Sequence, residues 1–195
     1  NVYTVRRATQ GLADYLSEGE KKRGVVIAYD SRRMSAEFAK ETALVLCANG
    51  VKTYLFDALR PVALLSFGVR HLGAAAGVVI TASHNPPQYN GYKVYGEDGA
   101  QLGPEAAAAV TERINVLSFT AAKRMDEEAA RAAGLLNIIG NKEVDDEYIA
   151  RVKTLSINPE IVAEAGKNLK IVYTPIHGSG NVPVRRILRE IGITN

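Results

Sequence analysis

Ser83, His84 and Lys93 are the residues of this chain whose types and spacing could do chemistry. A hydroxyl, an imidazole and, ten positions after the serine, an ammonium fall within V-V-I-T-A-S-H-N-P-P-Q-Y-N-G-Y-K, from Val78 to Lys93. Gly77-Val78-Val79-Ile80 has the β-branched density of a fully buried strand. Ser83-His84-Asn85-Pro86-Pro87 then breaks it with the punctuation of a loop. A hydroxyl placed where a buried parallel strand stops lies in the crevice that open α/β sheets use for ligands. Ser83 is therefore the leading candidate nucleophile, although an isolated serine would be read as an ordinary loop residue.

The wider context argues against that ordinary reading. T-A-S-H-N-P at Thr81–Pro86, followed by N-G-Y-K at Asn90–Lys93, resembles the phosphoserine loop of the α-D-phosphohexomutases, the phosphoglucomutase and phosphomannomutase superfamily. The resemblance implies that Ser83 carries a phosphoryl group exchanged with a sugar phosphate. Such a serine must be exposed, must have donors for the transferring oxygens and needs a base for its proton. The resemblance makes Lys93 the general acid/base or the transition-state cation; a solvated lysine on an edge strand is the competing reading. His84 is read as supporting the site, through a contact to phosphate, through a proton, or by shaping the loop.

Asp30-Ser31-Arg32 ends an earlier apolar run, Val25-Val26-Ile27-Ala28-Tyr29, on the same predicted sheet edge as Ser83. Arg32 can make bidentate bonds to a substrate phosphate; it can equally pair with Asp30 and hold the loop. His177-Gly178-Ser179-Gly180 opens a helix, a geometry suited to anions, and resembles the H-G-x-G at the start of the superfamily's second domain. A glycine turn from strand to helix explains it as well. The resemblance also implies Mg²⁺, held by the phosphate on Ser83 and by three aspartates of a D-x-D-x-D loop. No such loop occurs in this sequence. Asp145-Asp146 and Asp126-Glu127-Glu128 read as solvated acids on helices. A sugar 1,6-bisphosphate is the implied intermediate and activator.

The elements that must position these residues follow from periodicity. Val5, Ala8, Thr9, Leu12 and Leu16 predict an amphipathic helix over 2–15. Strands are expected at 25–29 and 51–56, and helices at 36–49, opened by a capping serine at Ser35, and at 61–72. Tyr92-Lys93-Val94-Tyr95 follows too short a loop for a crossover, so it is expected to turn back beside the Ser83 strand, with a hairpin at Asp98-Gly99. Pro104 starts another helix, 118–134 is expected to be helical and peripheral, and 145–155 forms a further helix. Leu169 to Tyr173 reads as the first strand of a new βα unit, with its helix at 182–191.

Strand and helix alternation predicts an α/β fold, a three-layer α/β/α sandwich with a mixed, mostly parallel sheet. Domain I is assigned to 1–157 and the beginning of a second domain to 158–195, with Asn158-Pro159 at the boundary. The chain has 195 residues, 47% hydrophobic and 23% charged, which is ordinary globular composition. A net charge of +3 is too small to argue for nucleic acid. Lys21-Lys22-Arg23, beside Glu18 and Glu20, reads as a solvated helix end. The single Cys47 excludes an intrachain disulfide and reads as a small core hydrophobe. No stretch approaches the ~20 apolar residues that span a bilayer, and no signal peptide is visible, so a cytoplasmic protein is expected.

Taken together, the expectation is a phosphoglucomutase-type phosphotransferase acting between hexose 1-phosphate and hexose 6-phosphate. Its other partners would be the remaining domains of the same polypeptide, and the 195 residues alone are expected to be inactive. A phosphomannomutase, a phosphopentomutase or sugar-bisphosphate synthase relative, and a non-catalytic binding relative are the alternatives.

Overall fold

The computed structural model describes residues 1–194. Helix α1 (Val2–Tyr15) and the short α2 (Glu18–Arg23) lead into β1 (Val25–Tyr29). Then follow α3 (Ser35–Ala48), β2 (Thr53–Phe56), α4 (Val62–His71), β3 (Ala76–Ile80) and β4 (Tyr92–Tyr95). Helix α5 (Pro104–Val116), α6 (Glu127–Ala132) and β5 (Leu136–Ile139) close this part. Among the described residues the sheet has five strands in the order β4-β3-β1-β2-β5. All neighbours are parallel except β3 and β4, which run antiparallel with Val79 opposite Lys93. The fold is thus α/β with a mixed, mostly parallel sheet and helices around it.

The alternation of the buried strands explains the layers. Val25, Ile27, Val78 and Ile80 share one core cluster with Leu12 of α1 and with Ala43, Leu44 and Cys47 of α3. Helix α4 covers the other face, where a side chain on Gly77 would meet Val69 at 2.7 Å. From β1 the chain crosses to β2 on one side and then returns to β3 on the other. The strand order therefore reverses between β1 and β3, and a crevice opens at their carboxyl ends. The turn back into β4 is as expected. A side chain on Gly91 would come within 2.5 Å of the Thr81 carbonyl oxygen, so only glycine allows the approach in which the Gly91 carbonyl accepts from the Thr81 N–H at 3.1 Å.

Several elements differ from the expectation. Ser35 does not cap α3: Met34 holds the cap position at φ 66°, and the Ser35 hydroxyl donates instead to Asp30 Oδ1 at 2.7 Å. Its oxygen accepts from the Asn90 side-chain amide at 2.9 Å, not from a backbone N–H of the first turn. Residues 118–126 are not helical, because the helix starts only where Asp126 accepts from the Glu128 and Ala129 amides. Strand β5, after Gly134 at φ 69°, was not anticipated. Four residues, only two of them buried, carry little periodic signal.

The chain parts into two compact units after Ile139, ahead of the 157/158 boundary expected from Asn158-Pro159. The second unit contains a π-helical turn (Asn141–Asp145), α7 (Asp146–Lys153), α8 (Pro159–Gly166) and α9 (Asn181–Glu190). Arg186 of α9 reaches Asp146 of α7 at 2.7 Å, and Lys153 reaches Glu190 at 3.3 Å. Asp145 is buried rather than solvated. The strand expected at 169–173 does not form. A strand is stabilised by ladder bonds to a neighbour, and the described residues of this unit supply none, so Val172 stays 99% exposed.

Candidate active site

The site lies where β1 and β3 end. Asp30 follows β1, and its backbone N–H donates to the Ile80 carbonyl at 3.1 Å, fastening the two strand ends together. Its carboxylate is a hub. Oδ1 accepts from the Arg32 amide at 3.0 Å and from Ser35, while Oδ2 accepts from the Thr81 hydroxyl at 2.6 Å. Arg32 Nε lies 3.3 Å from the same Oδ2.

Ser83 has φ 56°, in the left-handed region that a residue with a Cβ seldom occupies. Its N–H donates to Thr81 Oγ1 at 3.0 Å, so the Thr81 hydroxyl bridges the Ser83 backbone to Asp30. Its side chain is free to meet solvent, with Oγ 3.3 Å from His84 Nδ1 in a contact whose donor depends on the imidazole tautomer. The local sequence explains the sharp turn. The Asn85 N–H closes back on the Ala82 carbonyl at 3.0 Å, and the proline pair fixes φ immediately after.

Arg32 meets the Ser83 loop directly. Nη2 donates to the carbonyls of Ser83 at 2.6 Å and Asn85 at 2.7 Å. Nη1 donates to those of Pro86 and Tyr89, both at 3.0 Å. Asn90 adds a second tie, its side-chain amide donating to Ser35 Oγ at 2.9 Å and to the Arg33 carbonyl at 3.2 Å. The structure thus brings Arg32, Ser83 and His84 together on one sheet edge.

Lys93 sits on β4, paired in register with Val79. Tyr92 and Val94 pack into the core cluster, and the Tyr92 hydroxyl meets Thr9 Oγ1 at 3.2 Å. Burial pushes the Tyr92 hydroxyl's pKa well up, against the smaller opposing effect of its threonine partners. By strand alternation Lys93 projects to the opposite face. It is half-buried and forms no hydrogen bond or ion pair among the described residues.

His177 lies in the second unit, where Ile176 at φ 52° and a Gly178 N–H to Pro175 carbonyl bond of 2.8 Å shape the turn into α9. Thr81, Ser35 and Asn90 are the site residues that sequence reasoning missed. The signal was present for Thr81, which stands two residues before the serine in the quoted motif. Hydroxyls two residues before a backbone N–H are frequent turn-makers.

Among the described residues no group of three or more His, Cys, Asp or Glu could hold a metal. Asp30, the one carboxylate hydrogen-bonded into this cluster, has both oxygens engaged by Thr81, Ser35 and Arg32. These residues therefore do not form an Mg²⁺ site by themselves. No described helix is long and apolar enough to cross a membrane.

Comparison with known proteins agrees with the geometry. Residues 1–121 match the family described as phosphoglucomutase/phosphomannomutase, alpha/beta/alpha domain I. A phosphoglucomutase of Staphylococcus haemolyticus is 37% identical over 100% of this chain and 34% of its own length. A Schizosaccharomyces pombe protein named "Probable phosphoribomutase" is 42% identical over 92% of this chain and 31% of its own length. A Thermus thermophilus structure described as a "putative phosphomannomutase" superposes with a TM-score of 0.76 at 26% identity, over 99% of this chain and 40% of that one. The chain spans about a third of the length of the curated relatives it matches. With a serine turn at the β1/β3 crevice and a match over strands β1 to β4, the chain belongs to the phosphoglucomutase/phosphomannomutase family.

Proposed function

We propose that this chain carries the phosphoserine part of a phosphohexose mutase that interconverts hexose 1-phosphate and hexose 6-phosphate. The observation that carries this reading is the Ser83 turn: an exposed hydroxyl at φ 56°, at the strand-order reversal, with its backbone tied at both ends. In the proposed cycle phosphoserine gives its phosphoryl group to the free sugar hydroxyl. The serine O–P bond breaks, the sugar O–P bond forms, and the sugar proton leaves to a base while Ser83 is reprotonated. In the second half the Ser83 hydroxyl gives its proton to a base and attacks the other phosphate of the sugar bisphosphate; that sugar O–P bond breaks, the serine O–P bond forms, and the released sugar oxygen takes up a proton.

His84 Nδ1 lies 3.3 Å from Ser83 Oγ, a contact that supports a role in exchanging the serine proton. Lys93, an unpaired cation on the adjoining strand, offsets the roughly −1.5 to −2 charge of a phosphoserine. Mg²⁺ and the sugar 1,6-bisphosphate belong to the proposal through the resemblance alone, and the phosphate on Ser83 is the one metal ligand these residues would offer. The remaining carboxylates and the sugar contacts would come from further parts of the same polypeptide. A cytoplasmic setting goes with the sugar phosphates and with a single buried thiol.

Glucose phosphate is the first choice of substrate, supported by the Staphylococcus relative, with mannose phosphate next. The 42% identity to a protein named for phosphoribose favours a pentose phosphate as the alternative to a hexose phosphate. Assaying the complete protein against glucose, mannose and ribose 1-phosphates, with intact-mass detection of the phosphoserine, tests both. Turnover of ribose 1-phosphate alone would replace the hexose reading. No phosphoserine and no turnover would leave only a binding relative.

A further inference from the structure

We propose that Arg32 is a positioning residue for the Ser83 nucleophile, and that its guanidinium orders the phosphoserine loop instead of binding the substrate's phosphate. This rests on the phosphotransferase reading above for its catalytic consequence, though not for its geometry. A guanidinium has five N–H donors in a planar fork. Four are used on the carbonyls of Ser83, Asn85, Pro86 and Tyr89, at 2.6 to 3.0 Å, and Nε faces Asp30 Oδ2 at 3.3 Å. Both terminal nitrogens are thus fully used, and Nε is held in the ion pair with Asp30.

The electrostatic logic follows from those carbonyls. The peptides after Asn85 and Pro86 precede prolines and have no N–H, so they can present only acceptors. Four carbonyl dipoles left free around a serine that is to carry a dianion would repel it. Gathered on Arg32, their negative ends are turned to one cation. The same cation fixes the strained turn. The Ser83 carbonyl is held by Arg32, the Ser83 N–H by Thr81, and both holders are bonded to the Asp30 carboxylate. One acid therefore anchors both ends of the nucleophile's backbone through a single intermediary each.

The test compares Arg32→Lys, Arg32→Ala and Thr81→Val in the complete protein. Lysine keeps the charge, but three donors on one nitrogen cannot span four carbonyls and a carboxylate. Arg32→Lys and Arg32→Ala are expected to lower kcat about 10²-fold, the effect of misplacing a reacting group by about 1 Å, with KM for the sugar phosphate unchanged. Low-millimolar guanidinium is expected to restore part of the Arg32→Ala loss and none of the Arg32→Lys loss. Thr81→Val is expected to act in the same direction, and the double variant to lose less than the product of the singles. A raised KM with kcat retained would make Arg32 a phosphate ligand and overturn the proposal, as would unaltered kinetics.

A second readout needs no mutase activity. The exposed Tyr89, whose carbonyl Arg32 holds, is a chymotrypsin site; cleavage after it is expected to be slow in the parent chain and much faster in Arg32→Lys at unchanged Tm. Equal cleavage rates would overturn the proposal even if the protein proved not to be a mutase. An absent Ser83 phosphate with faster cleavage in the variant would instead sink the mutase reading and leave the clamp standing. Should Arg32→Ala not fold, Arg32→Lys and Thr81→Val carry the same decision.

Discussion

Two stretches of this chain read alike and fold differently. Gly77-Val78-Val79-Ile80 runs into T-A-S-H-N-P, and Leu169-Lys170-Ile171-Val172-Tyr173 runs into T-P-I-H-G-S-G; each is an apolar run leading to a histidine-containing turn before the chain changes direction. The first is a strand with a partner on each side, and its turn is held by two side chains from a neighbouring strand's end. The second has no ladder partner among the described residues and remains irregular, with Leu169 45% and Ile171 37% exposed. What separates them is supply of neighbours, not local propensity. A β-branched run only becomes a strand where other backbone accepts its hydrogen bonds.

The comparison can be broken at several points, beginning with the largest effect. In the complete protein Ser83→Ala is expected to abolish both covalent phosphate and turnover, and Ser179→Ala to leave the phosphate in place; phosphopeptide mapping decides. Label on Ser179 would reverse the ranking of the two turns. Lys93→Ala is expected to keep the fold and any existing phosphate but to slow transfer by roughly 10²–10⁴-fold, as for loss of a general acid/base. Single-turnover kinetics from phosphoserine to sugar measure that step alone.

The same residue type then sharpens the contrast in stability. Val78 is 0% exposed and Val172 99%. Val78→Ala is expected to cost about 2 kcal/mol in denaturant unfolding, the lost transfer energy of two buried carbons plus a cavity. Val172→Ala is expected to stay within about 0.5 kcal/mol. Amide exchange follows suit, with β1 and β3 protected to near the global limit and 169–173 exchanging freely. Protection at 169–173 in this 195-residue chain would show a partner for that run.

The smallest effect concerns pH. Burial pushes the Glu41 carboxyl up, but its hydrogen bonds to Arg6 at 2.7 Å and to Arg124 at 3.1 Å outweigh that and hold its pKa below the ordinary value. A carboxyl depressed in the folded state stabilises the fold above its unfolded pKa, roughly 4.3, and loses that contribution as pH falls through the folded value. Glu41→Gln is therefore expected to lower Tm at neutral pH, with the gap to the parent closing in acid. A gap independent of pH would assign the effect to packing.

The order of β1, α3, β2, α4 and β3 was legible because each carries buried residues in period, and β4, whose residues are only half-buried, because the turn into it is too short for any other connection. Strand β5 was not, being four residues long on a sheet edge. Ser83 and its partners on the sheet edge were legible through position and motif. The role of Arg32 was left open between ligand and clamp, since bidentate capacity is the same for a phosphate and for carbonyls. Thr81 and Ser35 were passed over because a hydroxyl's partner is set by whichever acceptor the tertiary fold brings nearest, here the Asp30 carboxylate.

The antiparallel return of β4 along β3 has a mechanical meaning. Ser83 and Lys93 hang from two adjoining strands of one sheet, joined by a loop that Arg32 and Asn90 fasten to the end of β1. In the proposed cycle the shared sheet would carry Ser83 and Lys93 together. The two phosphates of the bisphosphate would then be exchanged by the sugar turning round between them.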